Sequence, residues 1–130
     1  MPCKLSDHSC HNLNYHFVWC PKFRRKVLGP AIAERLKQLL QQKADSLGVT
    51  IEASEVMPDH VHIFVSASPL FAPHYIASQF KGFTSHELRN EFPELRSKLP
   101  TLWSRSYYVG ACGHVSETVV RQYIENQKGK

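Results

Sequence analysis

Residues 49–67 read VTIEASEVMPDHVHIFVSA, two β-type runs joined by the tight Pro58-Asp59 pair. That pattern predicts an antiparallel hairpin with strands over 49–57 and 60–67. Successive side chains of a strand point to opposite faces, so His60 and His62 share one face with Phe64 and Ser66, while Val61, Ile63, Val65 and Ala67 share the other. The apolar face needs a covering layer. The opposite face opens with two imidazoles, which are potential ligands.

The covering layer is legible on both sides of the hairpin. LNYHFVWC, residues 13–20, is rich in aromatic and β-branched residues and stops at Pro21, as a first strand would. Pro30 then opens a helix in which Ile32, Leu36, Leu39, Leu40 and Leu47 recur at helical spacing, and Gly48 ends it. A second helix follows Pro73, with Ile76, Phe80 and Phe83 on its buried side and Lys81, Ser85 and Arg89 on a roughly opposite stripe. The Pro-punctuated stretch EFPELRSKLPTLW is a connection with at most a short helical turn. SRSYYVGAC, residues 104–112, resumes strand character, Gly110 and Gly113 bracket a flexible junction, and Ser116 is the expected N-cap of a last helix.

The first six elements have the βαββαβ order of a ferredoxin-like or RNA-recognition-motif-like α+β sandwich, with two helices on one face of an antiparallel sheet. The histidines and the C-terminal helix are left for the other face. A chain of 130 residues suits a single domain over 1–130 with one hydrophobic core. No apolar run approaches the roughly 20 residues of a membrane span, and no signal-peptide segment is evident, so the expected location is cytoplasmic.

The formal charge is +5. Lys22, Arg24, Arg25 and Lys26 are packed into PKFRRK beside Tyr15, Phe17, Trp19 and Phe23, a combination that suits a phosphate backbone with unpaired bases or, equally, a solvated loop. Lys81 and Arg89 extend the same two readings to the second helix. Cys3, Cys10, Cys20 and Cys112 form no CxxC pair, which makes reduced thiols the default. CKLSDHSCH does bring Cys3, His8, Cys10 and His11 together, although their spacing matches no usual structural zinc pattern.

In the terminal segment Tyr123 and Gln127 are four residues apart, so a helix presents a phenol and an amide on one side, beside Val120 and Ile124. Placed over the sheet face of His60 and His62, they would complete a set suited to phosphoryl transfer. Two neutral imidazoles and an amide oxygen can hold a divalent cation without cancelling its charge, leaving it to polarise a phosphate. A tyrosine oxygen attacking a phosphodiester exchanges one ester for another, so the reaction can run backwards: nicking and joining rather than hydrolysis.

At LNYHFVWCPKFRRKVL, EVMPDHVHIFVSASP, LWSRSYYVG and VRQYIENQ the chain resembles the HUH single-tyrosine transposases of small bacterial and archaeal insertion sequences, which mobilise single-stranded DNA. The resemblance covers nearly the whole chain. It implies that His60 and His62 are metal ligands, Gln127 the third ligand and Tyr123 the nucleophile. It also implies a homodimer using magnesium or manganese, binding imperfect hairpins of single-stranded DNA near element ends and leaving a 5′-phosphotyrosine, with the terminal helix crossing to the partner. Ligand chemistry alone would rank zinc higher for two imidazoles.

Two other readings follow from the residues. One is a non-catalytic nucleic-acid-binding module with an RNA-recognition-like fold, in which Tyr15, Phe17 and Trp19 stack bases. The other is an interaction domain stabilised by zinc on Cys3, His8, Cys10 and His11.

Overall fold

The computed structural model describes residues 13–111 and 117–127. Strands β1 (Leu13–Trp19), β2 (Thr50–Met57), β3 (His60–Ala67) and β4 (Tyr108–Ala111) form a four-stranded sheet in the order β2-β3-β1-β4, each neighbouring pair antiparallel. Helices α1 (Pro30–Leu47), α2 (Pro73–Glu91), the short α3 (Glu94–Lys98) and α4 (Glu117–Asn126) complete the architecture. This is the α+β arrangement expected from the order of elements, with a C-terminal helix added.

Alternation decides which way the sheet faces. Phe17 and Trp19 of β1, and Val61, Ile63 and Val65 of β3, are buried together with Ile32, Leu36, Leu39 and Leu40 of α1 and Ile76, Phe80 and Leu88 of α2. Burying side chains of this size stabilises by about 2 kcal/mol each relative to leaving them in water. α1 begins at Pro30, whose missing N–H falls where a helix has no acceptor for it. It ends at Gly48, in the left-handed region at φ 76°, whose N–H reaches the Ala44 carbonyl at 2.9 Å. Registers of Val18 opposite His62 and His16 opposite Phe64 put all four residues on the other face.

Three expectations are corrected here. Phe17 and Trp19 have no exposed surface and lie on the helix-covered side, so they cannot stack bases. Lys81 and Arg89 do not form a solvent stripe on α2, because the connection after α3 folds along that side and offers them its carbonyls. Arg89 Nη1 donates to the Pro100 carbonyl at 3.1 Å, and Trp103 Nε1 donates to the Thr84 hydroxyl at 3.0 Å. The last strand begins at Tyr108 rather than 104, since Ser104–Ser106 curl around the Lys81 ammonium instead.

Cys3, His8, Cys10, His11, Cys112, Gly113 and the expected N-cap Ser116 lie outside the described residues. Among the described residues no helix is long and apolar enough to cross a membrane.

Candidate active site

His60 and His62 stand at the start of β3, on the sheet face free of α1 and α2, with ring centroids 4.8 Å apart. Each ring has its Nδ1 engaged. Asp59, in the hairpin turn, places Oδ1 2.7 Å from His60 Nδ1, and His16 of β1 places Nε2 3.0 Å from His62 Nδ1. An ionised carboxylate only accepts, so neutral His60 carries its proton on Nδ1 and keeps a lone pair on Nε2. Among the described residues neither His60 Nε2 nor His62 Nε2 has a hydrogen-bond partner.

Burial, followed by the neighbouring charges of His60 and His16, pushes His62 down to about 4. It is therefore neutral at physiological pH, the form a cation needs. Burial would raise Asp59, but hydrogen bonding and charge from His60 and Arg24 outweigh it and hold the carboxyl below its ordinary value. The pocket around these groups has a volume of about 680 Å³, and its wall includes Glu55 of β2 and Arg121, Ile124 and Glu125 of α4. Among the described residues no three His, Cys, Asp or Glu side chains meet as a ready-made metal cluster. What the pocket offers is two imidazoles, oriented from behind by a carboxylate and a third imidazole.

Tyr123 and Gln127 leave α4 on a different flank. Arg121, Ile124 and Glu125 are spaced i, i+3, i+4 toward the histidines, whereas Tyr123 and Gln127, spaced i, i+4, turn toward β4 and the Ser104–Ser106 turn. Ser106 Oγ lies 3.2 Å from the Tyr123 hydroxyl and 2.9 Å from Gln127 Oε1, with Ser104 Oγ 3.4 Å from the same amide oxygen. Within one chain the structure thus brings His60 to His62 and Tyr123 to Gln127, but it does not bring the two pairs together. Burial, partly offset by the Ser106 hydrogen bond, pushes the Tyr123 phenol up to about 12. In this seat it is protonated and unactivated.

The turn that seats Tyr123 is itself tied down. Lys81 Nζ donates to three successive carbonyls, those of Ser104, Arg105 and Ser106, at 2.7, 3.2 and 2.9 Å. Burial draws this lysine down to about 8, while the three acceptors favour its charged form.

Arg24 joins the two halves of the site. Its Nε binds Asp59 Oδ2 at 2.9 Å, and its Nη1 reaches the Ile124 carbonyl of α4 at 3.3 Å and Glu125 at 3.4 Å. To make these contacts the chain takes left-handed backbone at Phe23 (φ 60°) and Arg24 (φ 52°), which costs about 1–2 kcal/mol per residue outside glycine. The basic cluster therefore splits. Arg24 is committed to internal pairing, Lys22 lies over the Phe23 ring, and Arg25 and Lys26 are exposed.

Sequence reasoning missed His16, Asp59 and Ser106 as parts of the site. The available signal was parity: His16 is a polar residue inside an apolar strand, on the same face as Asn14 and Val18. For Asp59 and Ser106 the turn-forming role was visible, but the contact across the fold was not.

Comparison with known proteins bears directly on this geometry. Residues 9–127 match the family model described as "Transposase IS200 like". The chain is 34% identical over 122 residues to the ISDra2 transposase TnpA of Deinococcus radiodurans, covering 92% of this chain and 87% of that protein. It is 27% identical over 126 residues to the transposase for insertion sequence element IS200 of Salmonella typhimurium, covering 95% and 82% respectively. Among solved structures, a crystal structure of a Deinococcus radiodurans protein assigned as a transposase superposes with TM-score 0.87 at 34% identity, covering 98% of this chain and 99% of that one. A REP-associated tyrosine transposase bound to a REP hairpin superposes with TM-score 0.60 at 14% identity over 94% of this chain and 68% of that one, a likeness of fold. A match running through both the histidine hairpin and the tyrosine helix places this chain in the IS200-like transposase family.

Proposed function

We propose that this transposase nicks and rejoins single-stranded DNA at the ends of an insertion sequence, with Tyr123 as nucleophile. The observation that carries the reading is the pair of histidines with Nδ1 engaged from behind and Nε2 left toward the pocket. That donor set fits a divalent cation, magnesium or manganese, held by His60 and His62 with the Gln127 amide oxygen as third ligand; when bound it supplies a positive charge that polarises a phosphate oxygen. The phenol oxygen attacks phosphorus in line and forms an O–P bond. The P–O3′ bond breaks, the 3′ oxygen leaves and takes up a proton, the phenolic proton passes to solvent, and the 5′ phosphate stays on the tyrosine. One ester replaces another, so attack by a 3′ hydroxyl reverses the step and joins strands.

Because Tyr123 and Gln127 face away from the histidines of their own chain, the complete site is assembled between two chains, with the terminal helix of one serving the histidines of the other. The DNA partner is single-stranded DNA folded into hairpins at the element ends. Exposed Arg25 and Lys26 supply phosphate contacts that carry no sequence information.

The test is incubation with labelled single-stranded and duplex forms of the element ends in Mg²⁺ or Mn²⁺, followed by denaturing electrophoresis. A covalent adduct is expected on the single strand only, and Tyr123→Phe should abolish it without loss of DNA binding. Mixed dimers of His62→Ala and Tyr123→Phe should regain cleavage, since one of their two shared pockets is intact. An adduct in the Phe variant removes Tyr123 as nucleophile, and no rescue in verified mixed dimers removes the shared site.

A further inference from the structure

His16 is the third imidazole of the pocket, and a two-histidine cation site does not need it as a ligand. Its side chain is 4% exposed. The ring lies flat against Phe64, centroids 4.2 Å apart and planes 7° apart, and meets Tyr108 edge-on at 6.2 Å. Those are the surroundings of a phenylalanine. A histidine there must bury two nitrogens, and only Nε2 finds a partner, His62 Nδ1 at 3.0 Å. Nδ1 is one of two buried side-chain polar atoms without a hydrogen bond among the described residues. An orphaned buried polar group costs about 1–3 kcal/mol, so stability alone would favour an apolar ring.

We propose that His16 is a positioning residue for His62: it holds the His62 ring by Nδ1 so that Nε2 faces the pocket, as Asp59 does for His60. The two supports differ in kind. A carboxylate can only accept, which fixes His60 in one tautomer. An imidazole can donate or accept, and with a cation on His62 Nε2 the His62 proton sits on Nδ1 and His16 Nε2 accepts it. Such a partner behind a ligating histidine fixes both ring orientation and tautomer, and its loss typically weakens metal affinity by about 10–100-fold. His16 cannot be a ligand in this arrangement, because Nε2 is occupied and Nδ1 is enclosed. The inference rests on the reading of the pocket as a cation site.

The test uses the full chain with His16→Phe, which keeps the stacked ring, and His16→Gln, whose amide can replace Nε2. Two readouts are taken: Mn²⁺ affinity by titration, and the ¹⁵N imidazole spectrum of His62 in the metal-free protein. His16→Phe should unfold at the wild-type temperature or above, bind Mn²⁺ at least tenfold more weakly, and lose the hydrogen-bonded Nδ1 resonance of His62 that wild type shows in either tautomer. His16→Gln should recover most of the affinity and the hydrogen-bonded Nδ1 resonance. Wild-type affinity together with an unchanged His62 spectrum in His16→Phe would overturn the role, as would a marked loss of stability in that variant, which would make His16 a packing residue. A wild-type protein that binds no Mn²⁺ removes the cation reading instead, and the metal-free His62 spectrum still judges His16.

Discussion

The Tyr123 hydroxyl and the Ser106 hydroxyl lie 3.2 Å apart, so the phenol is docked on a turn of its own chain rather than beside the histidines of that chain. The same serine also holds the Gln127 amide oxygen at 2.9 Å. On the proposed function, delivery of Tyr123 and Gln127 to a histidine pocket requires the release of both contacts. Ser106→Ala removes them and should loosen the seating of α4 by about 1 kcal/mol, or roughly fivefold faster amide exchange in that helix. Unchanged exchange across α4 would mean that apolar packing, not Ser106, holds the helix down.

Lys81 read equally as a phosphate contact or as part of a solvated face, and its ammonium lies on three carbonyls of the turn that seats Tyr123. Lys81→Met should cost about 2 kcal/mol of stability, since three carbonyls of the turn lose a charged donor. The salt dependence of DNA binding should stay as in wild type. A salt slope shallower by about one unit would instead identify Lys81 as a phosphate contact.

Neighbouring arginines should separate in the opposite way. Arg25 is exposed, and Arg25→Ala should weaken DNA binding and flatten the salt slope by about one unit with no change in melting temperature. Arg24→Ala leaves buried Asp59 without its guanidinium and cuts the tie to α4, a loss of about 2–3 kcal/mol read in denaturant unfolding. If both variants lose only binding, Arg24 is not the internal clamp its contacts describe.

Acid should destabilise the fold through His62 before it reaches the carboxylates. The unfolded chain takes up this proton near the ordinary value of 6.5, and the folded chain not until about 4. The unfolded state is thus the first to gain protons as pH falls, so stability is fully present above 6.5 and declines toward 4. The decline from this group is on the order of 1–2 kcal/mol once its partial exposure is discounted. Burial lowers His16 in the same sense. Urea unfolding between pH 7 and 4.5 should show a shallower decline in His62→Gln, and an identical pH slope would exclude His62 as its source.

The local pattern was enough to determine the first three strands, the two long helices and the face of β3 that carries the histidines. Period-two alternation from His60 to Ala67 commits the histidines to one side once the other is apolar, and Pro30, Gly48 and Pro73 punctuate the helices within the chain itself. Tyr123 and Gln127 could be assigned to one side of α4 for the same reason, because i, i+4 spacing is a property of any helix. Only the tertiary structure decided which side of α4 meets the histidines, since that depends on how the helix rolls on the sheet. Its roll brings Arg121, Ile124 and Glu125 to the pocket and leaves Tyr123 on Ser106. The fate of the charges was decided in the same way. Arg24 and Arg25 are adjacent in sequence and alike in chemistry, yet one is consumed by Asp59 and α4 while the other is exposed. His16 meets His62 from 46 residues away. Spacing along a chain fixes which side chains share an element, but partners between elements are fixed by packing, which no local period encodes.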